Sequence, residues 1–106
     1  MANPKRGEVW LADLGWAAKT RPVLILSISY SDDDYALLAV VPHTTSQRGS
    51  QFEVSLEVRG LKKGSFNVQG LLAVPPVKCI RKITSLTPEQ LQSVEVTVIK
   101  WLGLGS

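Results

Sequence analysis

Apolar residues fall in short runs along this chain, each closed by polar or turn-forming residues. Val9-Trp10-Leu11 starts one run, Val23 to Ser27 forms a second, and Leu37 to Val41 a third. Runs of this length predict strands, and the near-continuous apolar character of the second predicts a buried one. Phe52-Glu53-Val54-Ser55-Leu56-Glu57 alternates instead, which predicts a strand with one face packed and the other in water. Two more short strands are expected near Asn67 to Val74 and Val77 to Ile83. Pro75-Pro76 interrupts them, because missing amide donors break a continuous central ladder.

Towards the C-terminus the period changes. Thr87-Pro88-Glu89-Gln90 combines an N-cap residue, proline at the first helical position and a glutamine placed to close a capping box, so a helix is expected to begin there. Leu91, Val94, Val98, Trp101 and Leu102 then share one helical face. Val94, Val96 and Val98 also alternate, which suits a strand; the capping signal favours the helix. Short strands followed by a late helix suggest a mainly β fold with a C-terminal helix, in the form of a small SH3-like barrel.

Composition narrows the setting. With 106 residues, 44% of them hydrophobic, the chain suits a single domain spanning residues 1–106 around one core. A formal charge of +3 favours a polyanionic partner without identifying it. Cys79 is the sole cysteine, so no internal disulfide can form and a reducing compartment suits the chain. Met1 to Gly7 lacks the apolar stretch of a secretion signal, and no run approaches the length of a membrane span. A soluble, cytoplasmic protein is the expectation.

The candidate chemistry lies at two strand ends. Arg21 stands at the mouth of the second apolar run, and the third ends in Pro42-His43-Thr44-Thr45-Ser46. If the two strands are neighbours, a guanidinium and several hydroxyls meet. Such a cluster fits a phosphodiester: arginine donates paired hydrogen bonds to phosphate oxygens, and hydroxyls bind the oxygens that gain charge during cleavage. RNA is the natural target, because its 2'-hydroxyl supplies the nucleophile. Each residue also has a plainer reading. Arg21 can be a surface arginine beside Pro22, and Thr44, Thr45 and Ser46 can cap a turn through side-chain to backbone hydrogen bonds. His43, the sole histidine, can serve as general acid or base, or as a binding or packing residue. Ser31-Asp32-Asp33-Asp34 reads as a solvated turn, since it matches no calcium-loop pattern and brings no other ligand set with it.

Gly7-Glu8-Val9-Trp10-Leu11-Ala12-Asp13, Arg21-Pro22-Val23, Val41-Pro42-His43-Thr44-Thr45 and Phe52-Glu53-Val54 follow one another in an order that resembles the MazF/PemK-type toxin family. The resemblance runs from about Arg6 to about Leu102. It implies the SH3-like fold and an endoribonuclease that cleaves single-stranded RNA through its 2'-hydroxyl, leaving a 2',3'-cyclic phosphate and a 5'-hydroxyl. It further implies a homodimer with grooves at the subunit interface and a cognate antitoxin whose acidic, apolar segment blocks the RNA site.

Within that resemblance Arg21 and Thr44 are the expected catalytic pair, with His43 a third candidate. Thr20, Thr45, Ser46, Lys19 and Arg48 are expected to contact RNA, and Trp16 either stacks on a base, is buried or makes a dimer contact. Lys78, or Arg81 if the alignment slips, is a further phosphate contact. Two departures stand out. Pro75-Pro76 occupies the place expected for the family's acidic residue and glutamine, and the connection from Gly15 to Thr20 is shorter than the family's glycine-rich loop. No metal or other cofactor is expected, since attack by the 2'-hydroxyl needs none. The rival reading is an SH3-like module that binds RNA or a peptide without cutting it; an interaction scaffold with an exposed sheet edge is a weaker third.

Overall fold

The computed structural model describes residues 3–15 and 20–105. Seven strands and one helix follow in order: β1 Glu8–Asp13, β2 Thr20–Ile25, β3 Leu38–Thr44, β4 Glu53–Ser55, β5 Ser65–Asn67, β6 Leu72–Val74, β7 Cys79–Ser85 and α1 Pro88–Leu102. The sheet runs β4-β5-β3-β2-β1-β7, with β6 also paired to β3. The mainly β architecture with a C-terminal helix is as expected. Among the described residues the ladder does not close into a full barrel, and β4 and β7 are its edges.

The middle stretches of the three central strands are apolar because both of their faces are covered, and polar residues stand at the strand ends. Val9, Leu24 and Val41 lie in one cross-strand row, fully buried with Phe66, Val68 and Val94, and Val98 packs beside them. On the other face Trp10 pairs with Val23 and Ile25 with Val40, packed with Ala12, Leu38, Val74 and Cys79. Removing both periods of water contact in this way leaves little of the alternation that marks a half-wet strand.

Prolines and a glycine explain where strand boundaries depart from expectation. Pro22 pairs with Leu11 of β1, while pairing to β3 starts only at Val23. Pro42 pairs with Val23 of β2, and on its other flank β6 stops at Val40 and β5 starts at His43. Each proline thus stands where one flank has no ladder to join, so its missing N–H costs nothing. The expected strand from Asn67 to Val74 is split for the same reason. A 3-10 turn at Val68–Gly70 steps the chain past Pro42, and a Cβ on Gly70 would lie 2.8 Å from the Pro42 ring. The alternating segment at 52–57 contributes only three residues to the sheet, because β4 has only the three residues of β5 to pair with. Pro76–Lys78 forms another 3-10 turn, so β7 begins at Cys79 rather than Val77.

The helix begins as expected. Thr87 Oγ1 accepts from the Gln90 amide at 3.2 Å, and Gln90 Oε1 accepts from the Thr87 amide at 2.9 Å. Gly103, at φ +70°, ends the helix in a conformation that costs other residues energy. Val94 and Val98 are buried while Val96 is 58% exposed, which separates helix from strand at the ambiguous positions. Trp101 and Leu102 extend beyond the buried face, and the Trp101 ring rests on Phe52 with centroids 4.9 Å apart.

Candidate functional site

β2 and β3 are antiparallel neighbours, so the start of β2 and the end of β3 lie at the same end of the sheet. Thr20, Arg21, His43, Thr44, Thr45 and Ser46 consequently line one groove with a cavity volume of about 410 Å³. The juxtaposition on which the phosphodiester reading depended is present. Arg81 joins the groove because β7 is in register: Pro22 faces Leu11 across one ladder, and Leu11 faces Arg81 across the next. Lys62 completes the positive lining from the loop before β5. Among the described residues the ion pairs are Arg6–Glu95 and Lys82–Glu8, so Arg21, Lys62 and Arg81 have no carboxylate partner there.

A second hollow of about 340 Å³ shares Arg21, Thr44 and Ser46 with the first and adds Arg48, Ser50, Glu53, Asn67 and Gln69. Together the two make a continuous polar track across the strand ends. Lys78 lines neither: it lies in the 3-10 turn before β7, one turn away from the in-register row that carries Arg81. Of the two cations, Arg81 lines the groove and Lys78 does not. Pro75-Pro76 also lies off the track. Pro76 borders a separate hollow of about 130 Å³ with Arg6 and Tyr30. Lys19 and Trp16 lie outside the described residues.

Thr44 makes the turn contact that its plainer reading required, and that contact leaves its donor available. Its Oγ1 accepts from the Ser46 amide at 3.0 Å. A hydroxyl that accepts one hydrogen bond still has a proton to donate, and here the half-buried side chain lines the groove. The backbone beneath is tightly confined. A Cβ on Gly64 would collide with the Thr44 carbonyl and lie 2.8 Å from His43 Cε1, so only glycine fits beside the strand end.

His43 is 4% exposed and packs edge-on against Phe66, its cross-strand partner, with centroids 5.0 Å apart and an interplanar angle of 72°. Burial, aided by the positive charge of Arg21, pushes its pKa below the ordinary histidine value. The imidazole is therefore neutral at neutral pH. Among the residues lining the larger groove it is the side chain able to accept a proton there, and it is also the packing residue of the plainer reading.

Sequence reasoning overlooked Lys62, Asn67, Gln69 and Gly64. Lys62 and Gly64 sit in a loop with no periodic signal, and Asn67 and Gln69 fell within an expected continuous strand. Glu53 was noted only as part of a motif. It belongs to the site through its carboxylate, which accepts from the Ser50 amide at 2.9 Å and the Arg48 amide at 3.1 Å. Those bonds, led by the one from Arg48, hold its pKa below the usual carboxylate range. In the Ser31–Asp34 segment, Asp34 Oδ2 accepts from the Ser31 amide at 2.9 Å and hydroxyl at 3.1 Å, closing a turn as expected.

Known proteins share this fold. Residues 5–102 match the model of the PemK-like, MazF-like toxins of type II toxin-antitoxin systems. An endoribonuclease solved in complex with its cognate antitoxin from a mycobacterial species superposes with a TM-score of 0.83 at 23% identity, over 98% of this chain and 99% of that one. The Mycobacterium tuberculosis toxin MazF-mt6 gives a TM-score of 0.78 at 27% identity, over 93% and 99%. A MazE-MazF complex from Deinococcus radiodurans gives 0.80 at 19% identity, over 96% and 97%. With nearly the whole chain matched by the family model, this protein belongs to the MazF/PemK-type toxin family.

Proposed function

We propose that this toxin is an endoribonuclease acting in the cytoplasm on single-stranded RNA, mRNA included, as a single domain of residues 1–106. The observation that carries the reading is the convergence of Arg21 and Thr44 on one groove with Arg81 and Lys62, none of these cations paired to a carboxylate among the described residues. A site with four hydrogen-bonding or cationic groups, whose nearest carboxylate, Glu53 in the adjoining hollow, is held by backbone amides, suits a phosphate of a polyanion.

In the proposed reaction the 2'-oxygen of the scissile nucleotide attacks phosphorus and the bond from phosphorus to the 5'-oxygen breaks. The products are a 2',3'-cyclic phosphate and a 5'-hydroxyl. The proton of the 2'-hydroxyl leaves as the new bond forms, and solvent water supplies a proton to the departing 5'-oxygen. Arg21 binds the non-bridging oxygens and offsets the charge they gain, and Thr44 donates its free hydroxyl proton to one of them. The neutral imidazole of His43 takes the 2'-hydroxyl proton. Arg81, Lys62, Thr20, Thr45, Ser46 and Arg48 hold the flanking backbone. The nucleophile belongs to the RNA, so cleavage is expected in excess chelator.

The family further supports a homodimer and a cognate antitoxin that carries acidic and apolar residues into the groove. Of the three similar structures named above, two are toxin-antitoxin complexes, one of them of an endoribonuclease. The test is cleavage of a long, mixed-sequence RNA in chelator by the antitoxin-free protein and by Arg21→Ala, with product ends mapped. Discrete cuts that disappear in the variant support the reading. Intact RNA from a folded wild type, across many sequence contexts, would leave a non-catalytic binding module in its place.

A further inference from the structure

The loop between β3 and β4 is organised around a carboxylate. Both Glu53 oxygens accept from the Arg48 amide at 3.1 Å, and Oε1 also accepts from the Ser50 amide at 2.9 Å. Gly49 between them adopts φ +77°, the left-handed conformation that turns successive N–H groups toward one point. The bond is reciprocated, since the Glu53 amide donates to the Ser50 carbonyl at 3.1 Å, and Ser50 Oγ accepts from the Phe52 amide at 3.1 Å. Residues 48–53 thus form a closed ring of hydrogen bonds around an intramolecular anion.

Two facts give this ring a consequence beyond local stability. Its members Arg48, Ser50 and Glu53 line the hollow that shares Arg21, Thr44 and Ser46 with the main groove. The hydrogen bonds to Glu53 come from the Arg48 backbone amide and not from its guanidinium, which forms no ion pair among the described residues although its positive charge helps to lower the Glu53 pKa. The carboxylate therefore fixes the backbone of Arg48 while leaving its charged end for a ligand.

We propose that Glu53 is a positioning residue that sets Arg48 against the RNA segment next to the scissile phosphate. The inference rests on the proposed ribonuclease reading and deepens it. Glu53 touches no reacting atom. The carboxylate suits the ring because the converging groups are all donors: a glutamine carbonyl at the Oε1 position could still accept from Ser50 and Arg48, but it would lose the charge and set an NH2 donor against the Arg48 amide at the Oε2 position. An aspartate keeps the charge but falls one methylene short. The loop then holds Arg48 less closely, without the donor clash.

The experiment is a double-mutant cycle on Glu53→Gln and Arg48→Ala, read as kcat and KM on long mixed-sequence RNA, alongside amide hydrogen exchange in the RNA-free proteins. Glu53→Gln is expected to speed exchange at Arg48 and Ser50 while the Phe66 amide in the core keeps its protection. KM should rise about tenfold, the order expected for losing one charge-assisted contact, with kcat little changed. Arg48→Ala should raise KM by a similar factor, and the double variant should be no worse than either single one, because both remove the same contact. Glu53→Asp should lie between wild type and Glu53→Gln. Additive effects on KM, or unchanged exchange at Arg48 and Ser50 in Glu53→Gln, would overturn the proposal. A wild type that cuts no RNA would overturn the ribonuclease reading and this proposal with it, whereas a cleaving wild type with an indifferent Glu53→Gln would overturn this proposal alone.

Discussion

Arg21 and Thr44 stand at the ends of strands whose neighbouring residues are buried, Val23 fully and His43 to 4% exposure, whereas Ser46, Arg48 and Lys62 stand on loops held by a few hydrogen bonds. The first wall of the groove cannot shift without disturbing the core of the sheet. The second can be rebuilt without touching that core. Groups that must meet charge as it develops are most effective when fixed beforehand, so the strand wall suits the chemical step and the loop wall suits the choice and grip of substrate. Changes to the strand wall should therefore appear in kcat, and changes to the loop wall in KM.

The largest break in that contrast is Arg21→Ala, which should lower kcat by about 100- to 1,000-fold, the cost of losing one preorganised group aimed at developing charge. Single-turnover rates at saturating RNA measure it without interference from binding. Thr44→Val keeps the shape of the side chain and removes the hydroxyl, and should cost about 100-fold in the same assay. A loss confined to KM for either residue would move it to the loop class.

Gly64→Ala tests whether the fixed backbone matters. The added methyl meets the Thr44 carbonyl and the His43 ring, so overpacking should destabilise the fold by about 1–3 kcal/mol and lower kcat as Thr44 is displaced. Chemical denaturation beside single-turnover kinetics reports both. Arg81 is on a strand, but it is exposed on the edge strand β7, outside the buried strand wall. Arg81→Ala should therefore weaken RNA binding across sequences and reduce the slope of log affinity against log salt by about one, while Lys78→Ala leaves both unchanged.

The smallest effect concerns acid. Because the folded pKa of His43 is depressed, the unfolded chain binds its proton first as pH falls. The contribution is neutral above the ordinary histidine range, and stability is lost as pH drops through that range toward the folded value. His43→Gln should flatten thermal stability between about pH 7 and pH 5, with the depressed carboxylates of Glu8 and Glu53 acting only at lower pH. An unchanged slope would show that His43 accepts its proton freely in the native state.

What could be read from the chain follows the same division. β1 to β3 were legible because burial on both faces demands unbroken apolar runs, and α1 because Thr87, Pro88 and Gln90 satisfy specific helix-start geometry. The strand-end pair was legible once those runs were neighbours. β5 and β6 were not separable, since the step between them is caused by Pro42, a residue distant in sequence that offers no donor. The place of Arg81 over Lys78 depends on register across two ladders, and the role of Glu53 depends on where backbone amides point. Neither leaves a trace in composition or period.

The central claim is that the RNA's own 2'-oxygen is the nucleophile in a groove centred on Arg21 and Thr44. The most direct measurement places a single 2'-deoxy nucleotide at a mapped cleavage position and follows that bond and its neighbours with the wild-type protein. The account predicts that the substituted bond survives while unmodified sites are still cut to 2',3'-cyclic phosphate ends. A cut at the deoxy position would contradict it.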